Sequence, residues 1–277
     1  MKDFLSIREF SDLSGIESST LRYWDEIGLF SPTKRGPENG YRYYSPEQII
    51  SVNFITVLSS LDIPLKTING IRNRRTPEGI VHLLEQQEKL LDMKMRQLRE
   101  CYSIIHTRKD MINRGKTASS IDQVSIMHLD DANFILGPRN EFKEGEGFYK
   151  PFTHFCKQAK DLRINLSFPT GGLHEDWQGF MATPGEPHHF LSTDPTGNSV
   201  RKAGKHIVGF HRGYYGQFGD LPERMANFIQ ENSLNTTGPV YSIYLHDEIC
   251  IEDPSQYLVQ VSVAIAPISP RPLSETS

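Results

Sequence analysis

Near the amino end of the chain, Arg22, Tyr23 and Trp24 stand together in the stretch TLRYWDEIGLFSP. The run Tyr41-Arg42-Tyr43-Tyr44 follows after a turn-rich segment. An arginine flanked by rings suits phosphate chemistry, because its long stem packs along the rings while the planar fork reaches two oxygens. Ser18, Ser19 and Thr20 precede Arg22, and their short hydroxyls can reach base edges or phosphates at low steric cost. Arg22 and Tyr23 then suit a phosphate and its sugar, while Arg35, Tyr41 and Arg42 can hold a backbone from the other side. For Trp24 and one tyrosine of the second run, packing into a small core is the better reading. Bulk charge adds nothing, since residues 1–75 carry ten Lys and Arg against nine Asp and Glu. The case rests on local pattern.

The elements that must position these side chains are legible. Ser6-Ile7-Arg8-Glu9 is a capping box, so a first helix runs from about Ile7 to Leu13 and closes at Ser14-Gly15. A second runs from about Ser18 to Ile27, with Gly28 at a left-handed C-cap. Two helices across a short turn make a helix-turn-helix, whose second helix enters the major groove by its N-terminal half. Pro37-Glu38-Asn39-Gly40 is a turn signal that predicts a two-stranded wing, and Ser45-Pro46-Glu47-Gln48 opens a third helix. DIPLKTINGI supplies a fourth.

The spacing predicts one long helix over 76–115. Leu84, Leu91, Leu98, Ile105 and Ile112 recur at seven-residue intervals, a seam for a dimerising coiled coil, although Gln87 and Lys94 interrupt the companion positions. Packing against its own domain is the alternative. Residues 116–122 read as a polar linker. Residues 123–270 alternate β-rich runs with two helices, FYKPFTHFCKQAKDL and DLPERMANFIQENSL, which suggests a duplicated α+β unit. Residues 271–277 read as a tail. The expected class is therefore α+β and multidomain.

Several chemistries are disfavoured. Cys101, Cys156 and Cys250 are far apart, none lies between Asn113 and Val124, and the neighbouring His188 and His189 would point to opposite faces of a strand. No metal and no cofactor is expected. There is no Gly-x-Ser-x-Gly and no compelling carboxylate pair, so no catalytic residue is assigned and the chain is read as a non-enzyme. No apolar run approaches membrane length and the N-terminus lacks an apolar signal core, which predicts a cytoplasmic protein without a membrane partner. Residues 117–277 hold 12 basic against 19 acidic residues, which mildly favours cationic partners.

The ordered series SIREFSDLSGI, TLRYWDEIGLFSP, GYRYYSPEQI and LDIPLKTI resembles the MerR family of transcription regulators across residues 1–75. The departures are Trp24 for a second Tyr, and Glu17 where the family commonly places a capping Ser. Ser18 is expected to take over that cap, with the helix start shifted by one residue. The resemblance implies a homodimer through an antiparallel coiled coil on promoter double-stranded DNA. It also implies RNA polymerase as partner and activation by distorting the promoter when an effector binds.

GFHRGYYGQFGDLPERMANFIQENSL, GPVYSIYLHDE and YLVQVSVAI resemble, more loosely, the GyrI-like effector-binding domain of multidrug-sensing members. That implies a pocket for lipophilic aromatic, often cationic, small molecules, and rings attract such cations through their faces. The lining candidates are Tyr149, Trp177, His211, Tyr241, Ser242 and Tyr257. The family's buried Glu in a Tyr-Glu-Ile-Tyr strand is Ser242 here, and a second frequent acid on the last strand is Gln260. Both exchanges relax the demand for positive charge, while Glu175, Asp176 or Asp247 could still favour cations. The alternatives are a C-terminal domain that binds a protein partner, or a hydrolase-like activity in it.

Overall fold

The computed structural model describes residues 3–118, 123–143 and 147–266. The chain divides into two compact units, Met1–Leu98 and Arg99–Ser277. That boundary falls inside the long helix rather than at the expected linker. The two halves of the helix pack on different cores. Residues 119–122 of the linker and the tail 271–277 lie outside the described residues.

The first unit contains β1 (Leu5–Ser6), α1 (Ile7–Ser14), α2 (Ser18–Glu26), β2 (Lys34–Arg35), β3 (Arg42–Tyr44), α3 (Ile49–Ser60), α4 (Leu65–Ile71) and the start of α5 (Pro77–Thr117). Ser6 and Glu9 form the capping box at α1, with Gly15 left-handed at its end. At α2, Glu17 is the N-cap without a side-chain bond. Ser18 therefore does not take over the cap, and it is already the first helical residue. The wing has three strands in the order β1-β3-β2, because Leu5 and Ser6 pair with Tyr44 and Tyr43. Phe10, Tyr44 and Phe30 stack with centroids 4.7 and 5.7 Å apart along the series, beside buried Leu21, Trp24 and Ile55. Burial of each such ring contributes about 1.5–3 kcal/mol. Leu83 joins this core from α5, and Gln87 donates Nε2 to the Leu61 carbonyl at 2.7 Å. The interruption at Gln87 is thus an anchor to the helix's own domain.

The second unit contains the end of α5, β4 (Ser125–Leu129), β5 (Ala132–Arg139), α6 (Tyr149–Ala159), β6 (Thr170–His174), α7 (Trp177–Ala182), β7 (His189–Ser192), β8 (Ser199–Arg201), β9 (Gly204–Arg212), α8 (Leu221–Glu231), β10 (Thr236–His246) and β11 (Leu258–Ile265). One antiparallel sheet runs β4-β9-β11-β10-β6-β7-β5-β8. The order is symmetric about the β10–β6 pair: strand, helix, hairpin on each side (β5, α6, β6, β7 and β9, α8, β10, β11). Each half lends a short edge strand to the other, β4 to β9 and β8 to β5. This is the duplicated α+β pattern.

Alternation along β10 assigns its side chains to two faces. Tyr241, Ile243 and Leu245 join a core with Met111 of α5, Phe134 and Phe210. Val240 and Tyr244 join the opposite core, with Phe180 of α7 and Leu221 and Met225 of α8.

Candidate nucleic-acid interface and aromatic pocket

On α2, the buried residues are Leu21 and Trp24, which leaves Arg22 and Tyr23 on the outer side. Tyr23 is 51% exposed and Tyr41 67% exposed. Ser19 is exposed, whereas Ser18 and Thr20 are half-buried. Among the described residues Arg22 forms no ion pair or hydrogen bond. Arg35 and Arg42 are different: both donate to Oδ2 of Asp25, at 2.5 and 2.6 Å, and that carboxylate side chain is only 4% exposed. Two guanidinium groups on one carboxylate leave a net positive charge, and each keeps N–H donors to spare. Asp25 thereby ties the wing to the helix that carries Arg22. The ring assignments divide as expected, with Trp24 and Tyr44 in the core.

Along α5, Leu84, Leu91, Leu98 and Ile105 are exposed in the single chain, Leu98 at 69%. Ile112 is half-buried, and its carbonyl meets His246 Nε2 at 3.1 Å. The open seam therefore ends before Ile112, where the helix packs on its own sheet.

In the second unit, the ring-lined site lies on the face of the sheet that bears α6, α7 and α8, opposite α5. Phe148, Phe152, Phe190, Phe218, Tyr215 and Tyr244 surround the backbone of β6 and Ser242. Phe148 and Phe152 both lie parallel to Tyr215 with centroids 6.1 Å away, and Tyr215 meets Tyr244 at 4.4 Å. The space open to a water-sized sphere is about 10 Å³, so the rings fill the site themselves and a ligand must part them. Gly172 forms part of its floor. A Cβ there would lie 2.7 Å from Pro187 Cβ and 2.9 Å from Ser242 Oγ. The Tyr244 hydroxyl accepts from the Gly216 amide at 2.9 Å, so polar tips are satisfied while faces stay apolar.

Ser242 lines this pocket, whereas the other candidates are scattered. Tyr241 is on the opposite face, stacked on Phe134 at 5.3 Å. Tyr149 is 58% exposed and touches Phe148 edge-on. Tyr257 is buried behind Tyr215, at 5.4 Å. Trp177 packs on Phe180, and half-buried His211 lies beside Gly213 and Gly219. Phe148, Phe152, Tyr215 and Tyr244 were missed by sequence. Strand alternation from Ser242 points to Tyr244, and the i, i+4, i+7 series Phe148, Phe152, Phe155 marks the inner stripe of α6.

The acids also redistribute. Gln260 accepts from Arg114 at 2.8 Å on the α5 face of the sheet, across from Ser242, because β11 pairs it with Ile243. It has no part in the aromatic pocket. Glu175 is paired with Arg139, Asp247 with Arg108 at 2.9 Å, and Asp176 caps α7. Glu248, exposed and outside the pocket lining, accepts from the hydroxyl of the wall residue Tyr215 at 2.5 Å. Burial, then that bond and charge, hold the Tyr215 phenol well above its ordinary range, so it stays a neutral donor.

Residues 5–74 match the model of the MerR HTH family regulatory proteins. Over nearly the whole length, the chain is similar to the multidrug-efflux transporter 2 regulator of Bacillus subtilis. The two are 25% identical over 257 residues, covering 91% of this chain and 93% of that protein. It is likewise similar to the multidrug-efflux transporter 1 regulator of the same organism, at 21% over 96% of this chain and 99% of the relative. The transcriptional regulator BrlR of Pseudomonas aeruginosa is 38% identical over 31% of this chain and 33% of its own length. Residues 5–74 of the chain are thus a helix-turn-helix domain of the MerR family.

Proposed function

We propose that this regulator works as a homodimer that senses lipophilic aromatic, often cationic, small molecules and activates transcription by distorting promoter DNA for RNA polymerase. Residues 1–75 bind the DNA, with Arg22, Tyr23 and Tyr41 on phosphates and sugars and Ser18, Ser19 and Thr20 at the groove. Residues 76–115 dimerise through Leu84, Leu91, Leu98 and Ile105. Residues 123–270 take the effector. The observation that carries the effector reading is the cluster of Phe148, Phe152, Phe190, Tyr215 and Tyr244 around Ser242. Ring faces in that number offer dispersion to any flat apolar ligand and cation–π attraction to a delocalised cation. Glu248, on the Tyr215 hydroxyl, biases the site toward positive charge without the desolvation cost of a fully buried acid. The likeness to two regulators of multidrug-efflux transporters supports a small-molecule effector.

The test is a titration of the purified protein with a rigid lipophilic aromatic cation and with its neutral isostere, followed by tryptophan emission. Saturable binding of the cation, tighter than of the isostere, supports the reading. Binding of neither refutes it.

A further inference from the structure

The sheet face opposite the aromatic pocket carries charged side chains that the effector reading leaves unused. Between the last turns of α5 and strands β4, β5 and β8 lies an open hollow of about 990 Å³, lined by Arg114, Arg201 and the apolar side chains of Met111, Phe134 and Ile243. Arg201 is only 5% exposed. Its Nε and Nη1 are buried without a hydrogen-bond partner, and Nη2 reaches the Asp130 carbonyl only at 3.4 Å. Arg114 donates to Gln260, a neutral amide. Among the described residues neither guanidinium forms an ion pair. Burial, then the like charge of Arg114, push Arg201 down to about 10.

Three aspartates line the same hollow. Asp131 accepts from the Ala203 amide at 2.6 Å, and Asp110 and Asp130 are exposed to solvent, where their charge is screened. A buried cation without a paired anion is unfavourable unless something neutralises it. Two guanidinium groups in each other's field, beside an apolar surface, define what that partner would be.

We infer that this hollow is a second ligand site, taking an organic carboxylate whose charge meets Arg114 and Arg201 and whose apolar body lies on Met111, Phe134 and Ile243. It is separate from the aromatic pocket and of opposite charge preference.

The test uses the full-length protein with 2-naphthoate and its neutral amide, 2-naphthamide, by calorimetry and thermal melting. The carboxylate should bind saturably, at least about ten-fold tighter than the amide, and should raise Tm, since a ligand bound by the folded state alone stabilises it. Arg201→Met should melt no lower than the parent without ligand, because it removes an uncompensated buried charge, and should lose naphthoate binding by about ten-fold or more. Arg114→Gln, at a half-exposed position, should weaken naphthoate several-fold with little change in Tm. Equal binding of acid and amide, or unchanged naphthoate affinity in either variant, would overturn the site. So would a large fall in Tm for ligand-free Arg201→Met, which would mean that Arg201 already has a partner, such as a carboxylate of a second copy of the chain.

Discussion

Replacing Glu248 with Gln removes a charge while keeping a hydrogen-bond acceptor for Tyr215. In the native chain the carboxylate sits 2.5 Å from the Tyr215 hydroxyl, and that ring forms one wall of the aromatic pocket. A cation over the ring face would lie roughly 6 Å from the carboxylate. At that separation two unit charges attract by about 0.7 kcal/mol in water and about 3 kcal/mol at the effective dielectric of a protein surface. Glu248 is exposed, so the lower part of that range applies, about 1 kcal/mol or roughly five-fold in Kd. The assay is the paired titration of cation and neutral isostere on parent and Glu248→Gln, at low and at high salt. The cation should weaken about five-fold and lose salt sensitivity, while the isostere should change less than about two-fold. Equal losses for both ligands would show that Glu248 acts by fixing the Tyr215 ring. Unchanged cation affinity would refute a role for its charge altogether.

Arg22→Ala should weaken DNA binding across sequences and lower the salt slope by about one phosphate contact; a slope equal to the parent's would remove Arg22 from the phosphates. Leu98→Glu places a charge at a position already 69% exposed in the single chain, so the fold should persist while the dimer dissociates. Sedimentation that finds an intact dimer would move the interface elsewhere. Burial lowers His174 to about 4, so on acidification the unfolded chain, with an ordinary imidazole, takes up the proton first. Its contribution is complete above the ordinary histidine range and falls between about pH 6.5 and 4, by up to about 1.4 kcal/mol per unit. His174→Gln should flatten that stretch of the stability profile, and an unaltered acid slope would contradict the assignment.

Much of the DNA-binding domain follows from local chemistry. Ser6 with Glu9 caps α1, Gly15 and Gly28 end their helices in the left-handed region, and α5 runs unbroken over Pro77–Thr117 as the heptad spacing predicts. These are interactions among residues a few positions apart, so the order of residue types determines them. Asp25 is where that reasoning stops. Nothing in TLRYWDEIGLFSP announces that its carboxylate anchors Arg35 and Arg42, because the contact joins a helix to a wing folded back beside it.

The same limit governs the second unit. Alternating β-rich runs and two helices predict a duplicated α+β unit, and resemblance points to an aromatic pocket. Yet Tyr241 looks as suitable as Tyr244, and Tyr149 as suitable as Phe148, until the sheet acquires two covered faces. Pairing of β10 with β11 and β6 places Ser242 and Tyr244 on the helix side and sends Tyr241 and Gln260 to the α5 side. The sequence by itself determined the elements and most of their caps. Tertiary structure alone decided which rings share a pocket, because a strand divides its side chains between two faces and only the packing on each face says which one is inside.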